Sequence, residues 1–434
     1  MTDFLRMDDP RYPAAVTGFN TYFEIAPEVA VAAATVDDVA AAVRYAGEHG
    51  MPVRAFATGH GTHAPIDGGM LINVSALDTV TIDPAARTAS IGGGARWSPV
   101  VAAAAEHGLA PITGSSPAVG VSGYIQGGGL GPLARSHGFS SDRVVGYTVV
   151  TADGAVRTVD AGSEPELFWA MRGGKGGFGV VVETRVCLVE LATLYGGALV
   201  FDTPDIERVL RGWLDWTATA DARVTTSVAV INFPPFEEVP PPLRGRRLLM
   251  LRFAFPGDAV TGEELAAPLR ALAPVYLDGL HEMNAADIGL IHNDPTNPGP
   301  GWGLGGAFSR VDGGLVDALL PFLGPDAAAP FIAVEIRHVG AAAATDVPEG
   351  SAVGGRDLEY LFHLIGAPDP ALFPEVLPAA GQAFLAGLAT WIAPTTTPNW
   401  ASAETLDTSW TPQTRDRIRA ARASVDPTGM FPLS

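Results

Sequence analysis

Apolar positions along the chain fall in two rhythms, one of period two and one of period 3.6. Val29-Ala-Val-Ala-Ala33 is a short apolar run, and Thr35 followed by Asp37 and Asp38 reads as a helix N-terminus with acidic groups in its first turn. Val36, Val39, Val43 and Ala46 recur at helical spacing, Gly50 supplies a stop, and residues 52–56 resume in extended form. The opening is therefore strand, helix, strand. Residues 70–74, 79–82 and 88–91 follow as short strands with Asp83-Pro84 as the clearest turn, and 97–107 as a helix ended by Gly108. Residues 144–151 and 156–159 flank Asp153-Gly154 and predict a hairpin, 167–172 a short helix, and the β-branched run 180–186 a strand. Near Leu188 the character changes. From there to about residue 389, helices (205–218, 262–272) alternate with strands (247–255, 331–339, 358–365) and proline-rich loops, and 415–423 is an arginine-rich helix. The pattern predicts an α+β chain with no internal repeat.

Composition narrows the classes of function. With 434 residues, 47% hydrophobic and 17% charged, the chain can fill two or three lobes with core. A formal charge of −20 repels phosphate backbones and anionic lipid surfaces, so neither nucleic acid nor membrane is an expected partner. Cys187 is the single cysteine, which excludes an intrachain disulfide and a cysteine-rich metal cage. The first nine residues carry acidic groups where a signal peptide needs basic ones, and no run of about 18 apolar residues occurs. A cytoplasmic protein is expected.

Several short motifs fail on context. Gly301-Trp-Gly303-Leu-Gly-Gly306 has dinucleotide-loop spacing but follows Asp294-Pro-Thr-Asn-Pro-Gly-Pro300, not a strand, and reads as a loop. Gly174-Lys175 is followed by Gly176, so the hydroxyl of a phosphate loop is missing. His60 and His63 lack the helix and carboxylates of a metal site, and no metal is expected. Two constellations carry more. In Arg54-Ala-Phe-Ala-Thr-Gly-His60-Gly-Thr62, a strand enters a turn whose small residues leave backbone N–H groups free for an anion, although a tight turn with a surface histidine reads the same way. Glycine-rich stretches 114–131 and 173–179 let the main chain approach a flat ligand closely. Tight packing explains one such cluster easily and three less well.

Here the order of motifs resembles a known family. The histidine turn, Gly-Gly-Gly-Ala-Arg-Trp97, Pro117-Ala-Val-Gly120, Gly127-Gly-Gly-Leu-Gly131, Asp142, Val149-Val-Thr-Ala-Asp-Gly154, Leu167-Phe-Trp-Ala-Met-Arg-Gly-Gly174 and Phe178-Gly-Val-Val181 together look like the FAD-linked, berberine-bridge-enzyme-like oxidases. Asn399-Trp400, Arg419 and Asp426-Pro-Thr-Gly-Met-Phe431 are similar to that group's C-terminal signature. The resemblance implies a two-subdomain, PCMH-type FAD-binding domain over 1–190. It implies a substrate domain over 191–390, with an antiparallel sheet covered by helices, and a segment 391–434 returning to the FAD domain.

It also implies a cofactor and a set of residues around it. FAD would be joined covalently through His60 alone, because Ser116 stands where some members carry a second, cysteine link and a hydroxyl cannot form the thioether. Thr58 replaces a common glycine, and Thr397 and Trp400 replace aromatic positions around the retained Asn399. By position-wise match, Phe56, Ala57, Thr58, Gly59, Gly61 and Thr62 would hold the pyrophosphate. Pro117, Val119, Gly120, Gly123, Gly127, Gly128 and Gly131 would line the ring and ribityl chain, and Gly179 and Val181 the adenine side.

The implied reaction is oxidation of a C–H bond in a sugar, alcohol or secondary metabolite. Hydride would go to flavin N5, and dioxygen would reoxidise the flavin to give hydrogen peroxide. A flavin dehydrogenase or redox-neutral cyclase, and a flavin-binding protein without catalysis, are the alternatives. For the base, period-two alternation on 358–365 puts Tyr360 and Phe362 on one face and Glu359 and His363 on the other. Tyr360 is the first choice, His363 the second, and Tyr360 as a packing residue the alternative. Glu335 and Arg337 share a strand face and read as a buried ion pair, and His137 is a further pocket candidate. Neither substrate identity nor oligomeric state is legible.

Overall fold

A computed structural model describes residues 2–402 and 404–433. At the start of the helix Val36–His49, Thr35 Oγ1 accepts from Asp38 N at 3.1 Å and Asp38 Oδ2 accepts from Thr35 N at 3.0 Å. Gly50, at φ +64°, ends that helix in the left-handed conformation a glycine adopts without strain. This helix connects Val29–Ala32 to Val53–Phe56, and Met70–Asn73 lies between the two in a three-stranded parallel sheet. A five-stranded antiparallel sheet follows in the order Val156–Val159, Val144–Val150, Val180–Cys187, Thr88–Gly92, Val80–Asp83. Its expected hairpin around Asp153-Gly154 is present. Trp97, Tyr147 and Phe168 fill the space between this sheet and its helices.

The rest of the chain is organised by one eight-stranded antiparallel sheet. From its interior to one edge it runs Arg247–Phe255, Thr225–Asn232, Phe331–His338, Tyr360–Gly366, Gly303–Phe308. Helices Ile206–Thr217, Ala259–Arg270, Gly313–Leu323 and Val376–Gly387 cover one face, where Val228, Ile336, Phe362 and Leu364 meet Leu210, Trp213, Leu319 and Phe384. The opposite face meets the first half of the chain. Leu361 packs there against Leu130, Ala134 and Phe139. Residues 301–306, read above as a loop, belong largely to the edge strand Gly303–Phe308, which corrects that reading. Glycines stand there because a Cβ on Gly305 would lie 2.4 Å from the Trp400 carbonyl oxygen.

The end of the chain lies against its beginning. The helix Pro412–Val425 packs on Pro165–Met171, and Arg422 Nε donates to the Gly176 carbonyl at 2.9 Å. Val53 N donates to the Met430 carbonyl at 2.7 Å, beside the parallel sheet. A second tie joins the glycine-rich region to the segment before the strand Tyr360–Gly366. Arg356 Nη2 donates to Asp142 Oδ1 at 2.5 Å, with side chains 12% and 8% exposed, and Asp346 gives the same guanidinium a second partner at 2.9 Å. Breaking a buried pair leaves its partner charge uncompensated. Asp142→Ala is expected to lower unfolding free energy by about 3 kcal/mol, the lower end for such pairs because Asp346 remains. An unchanged denaturant midpoint would assign the whole tie to Asp346.

Candidate active site

The histidine turn leaves the strand Val53–Phe56 at the edge of the parallel sheet. Gly59 has φ +70°, and a Cβ there would lie 2.8 Å from Gly18 Cα, so no other residue fits the turn. His60 stacks on Phe19 with ring centroids 3.6 Å apart. Its Nδ1 lies 2.8 Å from Thr58 Oγ1, and its Nε2 is buried without a partner. Burial, helped by Arg96, pushes its pKa down to about 4, so the ring is neutral at pH 7. Ala57 and Thr58 of this turn meet Gly120, where a Cβ would stand 3.2 Å from that of Ala57. The His60 turn and the Pro117–Gly120 turn thus form one surface.

Glycine-rich residues continue that surface. Gly120 precedes the short helix Val121–Gln126, and a Cβ on Gly127 would stand 1.8 Å from Asn399 Oδ1. Asn399 accepts from Lys175 Nζ at 2.7 Å and donates to the Tyr124 carbonyl at 2.8 Å, so it joins three loops. Burial pushes Lys175 down to about 8. Around this cradle Trp97 Nε1, Ser116 Oγ, Ser141 Oγ and Thr397 Oγ1 are buried without hydrogen-bond partners among the described residues. Unpartnered buried polar atoms are costly, and this many beside a glycine cradle fit a flat ligand rich in donors and acceptors, as FAD is. Gly179, at φ +121°, and Val181 lie at the start of the strand Val180–Cys187. A Cβ on Gly179 would reach the Val150 carbonyl at 2.3 Å, so that glycine is required by strand packing. Gly123 and Gly61 are exposed with open space around them.

Facing the glycine-rich region is the uncovered side of the large sheet. Antiparallel register puts Arg252, Ser227, Arg337 and Leu361 in one row and Ala229, Glu335 and His363 in the next. Glu335 is the centre of charge. Arg252 Nη1 donates to it at 3.2 Å and Arg337 Nη2 at 3.1 Å, while His292 Nε2 lies 3.5 Å away. Burial alone would raise the Glu335 pKa, but Arg337, His292 and Arg252 together hold it well below the usual carboxylate range. Arg337 Nη1 also donates to the Leu130 carbonyl at 3.0 Å, which ties the sheet to the glycine loop. His292 is held below its ordinary value by burial and then by Arg252 and Arg337. His363 is lowered chiefly by burial, and its ring meets Trp400 edge-on at 5.5 Å. His63, lowered by burial with Lys175 and His363 nearby, brings the histidine turn into the same neighbourhood.

Tyr360 is on the wrong face for a base at this interface. Its hydroxyl lies 2.7 Å from Thr217 Oγ1, its ring stacks on His338 at 5.1 Å, and burial raises its pKa, so it is a core residue under the helices. His363, the second choice, is on the face turned to the glycine loop. His137 pairs with Ser136 Oγ at 2.7 Å and is pushed to about 4 by burial and Arg143, with none of the sheet-face groups among its hydrogen-bond partners. Sequence reasoning missed Arg252, Ser227 and His292. Arg252 carried a signal, a lone charge in the apolar run Leu248-Leu-Met-Leu-Arg-Phe-Ala-Phe255, whereas His292 sits in irregular chain and carried none.

Three of these histidines make stability depend on pH. His60 and His137 are held to about 4, and His338, which accepts from Arg135 Nη1 at 2.9 Å, to about 3. Below 6.5 the unfolded chain takes up protons that these native rings refuse, so stability falls as pH drops from about 6.5 toward 4. Denaturant midpoints at pH 7.5 and 5 should therefore differ, and His338→Gln should reduce the difference while His60 and His137 keep the rest. Equal midpoints would mean the rings are hydrated.

Comparisons with known proteins bear on the first domain and on the fold. Residues 27–160 match the model of an FAD binding domain. The (R)-6-hydroxynicotine oxidase of Paenarthrobacter nicotinovorans is 40% identical over 167 residues, which cover 38% of this chain and 36% of that protein. Glucooligosaccharide oxidase of Sarocladium strictum is 32% identical over 238 residues, 53% of this chain and 48% of that protein. The matched stretches thus span about a third to a half of these relatives. The structure of Physcomitrella patens BBE-like 1 superposes with a TM-score of 0.85 at 18% identity, covering 99% of this chain and 95% of that one. Residues 27–160 thus match an FAD binding domain, and the chain as a whole has the α+β fold of BBE-like 1.

Proposed function

We propose that this chain is an FAD-dependent oxidase of a small molecule, a sugar, alcohol or secondary metabolite oxidised at a C–H bond that bears a hydroxyl or amine. The observation that carries the reading is the placement of the His363 imidazole and the clamped Glu335 carboxylate on the sheet face turned toward the glycine cradle, with His292 beside them from the neighbouring loop. When bound, FAD would supply the hydride acceptor at N5, with dioxygen as the final electron acceptor and hydrogen peroxide as its product. Relatives named as oxidases of a hydroxynicotine and of glucooligosaccharides support a small-molecule substrate.

The chain's own groups have distinct tasks in this reading. Residues 1–190 and 391–434 hold the cofactor, and 191–390 present the sheet to the substrate. Backbone N–H groups of Phe56–Thr62 would hold the pyrophosphate, and the turn at Pro117–Gly120 with Gly127, Gly128 and Gly131 would hold the ring. His60 would hold the flavin by the single covalent bond, for which a neutral imidazole with a free lone pair is required. His363 takes the proton from the substrate hydroxyl or amine. Its neutral form is favoured by burial, and Glu335, its direct cross-strand partner, stabilises the imidazolium that forms.

Two measurements test this. Yellow colour should stay with acid-precipitated protein and leave it in a His60→Ala variant, and oxygen uptake with peroxide release should accompany turnover. Turnover without oxygen uptake would favour a dehydrogenase, and protein that binds no flavin would end the reading. His363→Asn is expected to lower kcat by about 10²–10⁴. Because burial depresses the His363 pKa, wild-type kcat/KM should hold through pH 6.5 and decline only in more acidic solution. An undiminished kcat in His363→Asn would remove that residue from the chemistry.

A further inference from the structure

Lys175 is the only lysine among the 27 lysine and arginine residues of the chain. It stands in Gly173-Gly-Lys-Gly-Gly177, where every neighbour is glycine, yet its own backbone is left-handed at φ +64°. A side chain in that conformation is strained and a glycine is not, so only the amine gives a reason for a lysine there. The loop is held in shape on both sides. Lys175 N donates to the Gln126 carbonyl at 2.8 Å, and Arg422 donates to the carbonyls of Gly174 and Gly176.

Three elements of the cradle meet at this side chain. Nζ donates to Asn399 Oδ1 at 2.7 Å, and a Cβ on Gly127 would stand 3.1 Å from Lys175 Cδ, so the lysine runs over the glycine loop. His63, in the histidine turn, is lowered in part by Lys175. The ammonium group thus lies between that turn and the glycine loop, where the reading above puts the flavin, and the residue keeps part of its surface open.

Charge there is uncompensated. Among the described residues no carboxylate pairs with Lys175, and burial lowers its pKa to about 8. An unpaired ammonium inside a protein calls for an anion. Oxidised isoalloxazine is neutral and becomes negative once it has taken up hydride, so a cation beside it favours the reduced form. Lysine suits this task better than arginine, because its charge is compact and its proton can leave while the ring is neutral.

We propose that Lys175 is a catalytic residue of the flavin site: its ammonium pairs with the negative charge that the ring gains when the substrate C–H bond breaks and its two electrons and hydrogen nucleus pass to N5. The inference rests on the oxidase reading for the presence of flavin, and on the lone lysine for the charge.

With one lysine in the chain, lysine labelled with 13C at Cε gives a single assigned signal whose shift follows protonation of the amine. In flavin-loaded protein that signal should titrate about one pH unit or more higher after anaerobic reduction with dithionite than before it, a tenfold change in proton affinity. Flavin in Lys175→Met should be harder to reduce by at least tenfold, about 30 mV for two electrons. If Lys175→Met fails to fold or to hold flavin, the wild-type titration decides. Equal titration in the two redox states would overturn the proposal and assign the lysine to the pyrophosphate, whose charge is the same in both. An unchanged potential in Lys175→Met would overturn it as well. Protein that holds no flavin would sink the oxidase reading and this inference with it, whereas yellow protein with a redox-indifferent lysine would sink this inference alone.

Discussion

Glu335 is a carboxylate taken out of water where the large sheet meets the glycine loops, and the arrangement around it follows from that. Such a group costs several kcal/mol to bury unless cations and hydrogen bonds replace its hydration. Arg337, two residues along the same strand, and Arg252, two strands away, do so, and Arg337 is itself anchored to the Leu130 carbonyl in the glycine loop. One ion cluster therefore pairs the strands internally and sets the distance between sheet and loop. Burial first, and then the same positive field, hold His292 below its ordinary value, so the cluster contributes to the protonation of a neighbour as well as to its position.

Much of this architecture was legible in the sequence because it rests on local rules. The capping box at Thr35, the Asp153-Gly154 hairpin and the alternation on Tyr360–Gly366 are short-range, and each is present. Alternation, however, says only that a strand has two faces. Which face meets the helices depends on strands far away in sequence: Val228, Ile336 and Phe362 fall in register and make one side a continuous apolar surface, and Tyr360 goes with them. Read alone, Tyr360 looked like a base. Read in register, the polar minority of each strand, Ser227, Arg252, Glu335, Arg337 and His363, marks the interface.

Glycine gave the sequence reading its best and its worst results. The dense stretch 114–131 pointed to close backbone approach, and the structure puts Gly127 and Gly131 where a Cβ would collide with Asn399 and with the Thr113 carbonyl. In Gly303–Phe308 the same residue type hid a strand, since a strand without side chains has no hydrophobic period to detect. The signal there was tertiary: Trp400 and Phe362 crowd that strand from either side. His292 was invisible for a related reason, as it stands in an irregular stretch and gains its meaning only from Glu335 and Arg337.

The unpartnered donors have a thermodynamic meaning of their own. Each buried group without a partner costs about 1–3 kcal/mol relative to one that is satisfied. Several such groups line the glycine cradle, and three more lie on the Arg252 row. A chain that leaves them unsatisfied when empty is more stable when occupied, because a ligand that meets those donors binds the folded state and not the unfolded one. Stability and occupancy are then linked through the same atoms. The tight ion cluster around Glu335 is what allows this, since it holds sheet and loop together before any ligand arrives and so keeps the donors aimed at one place.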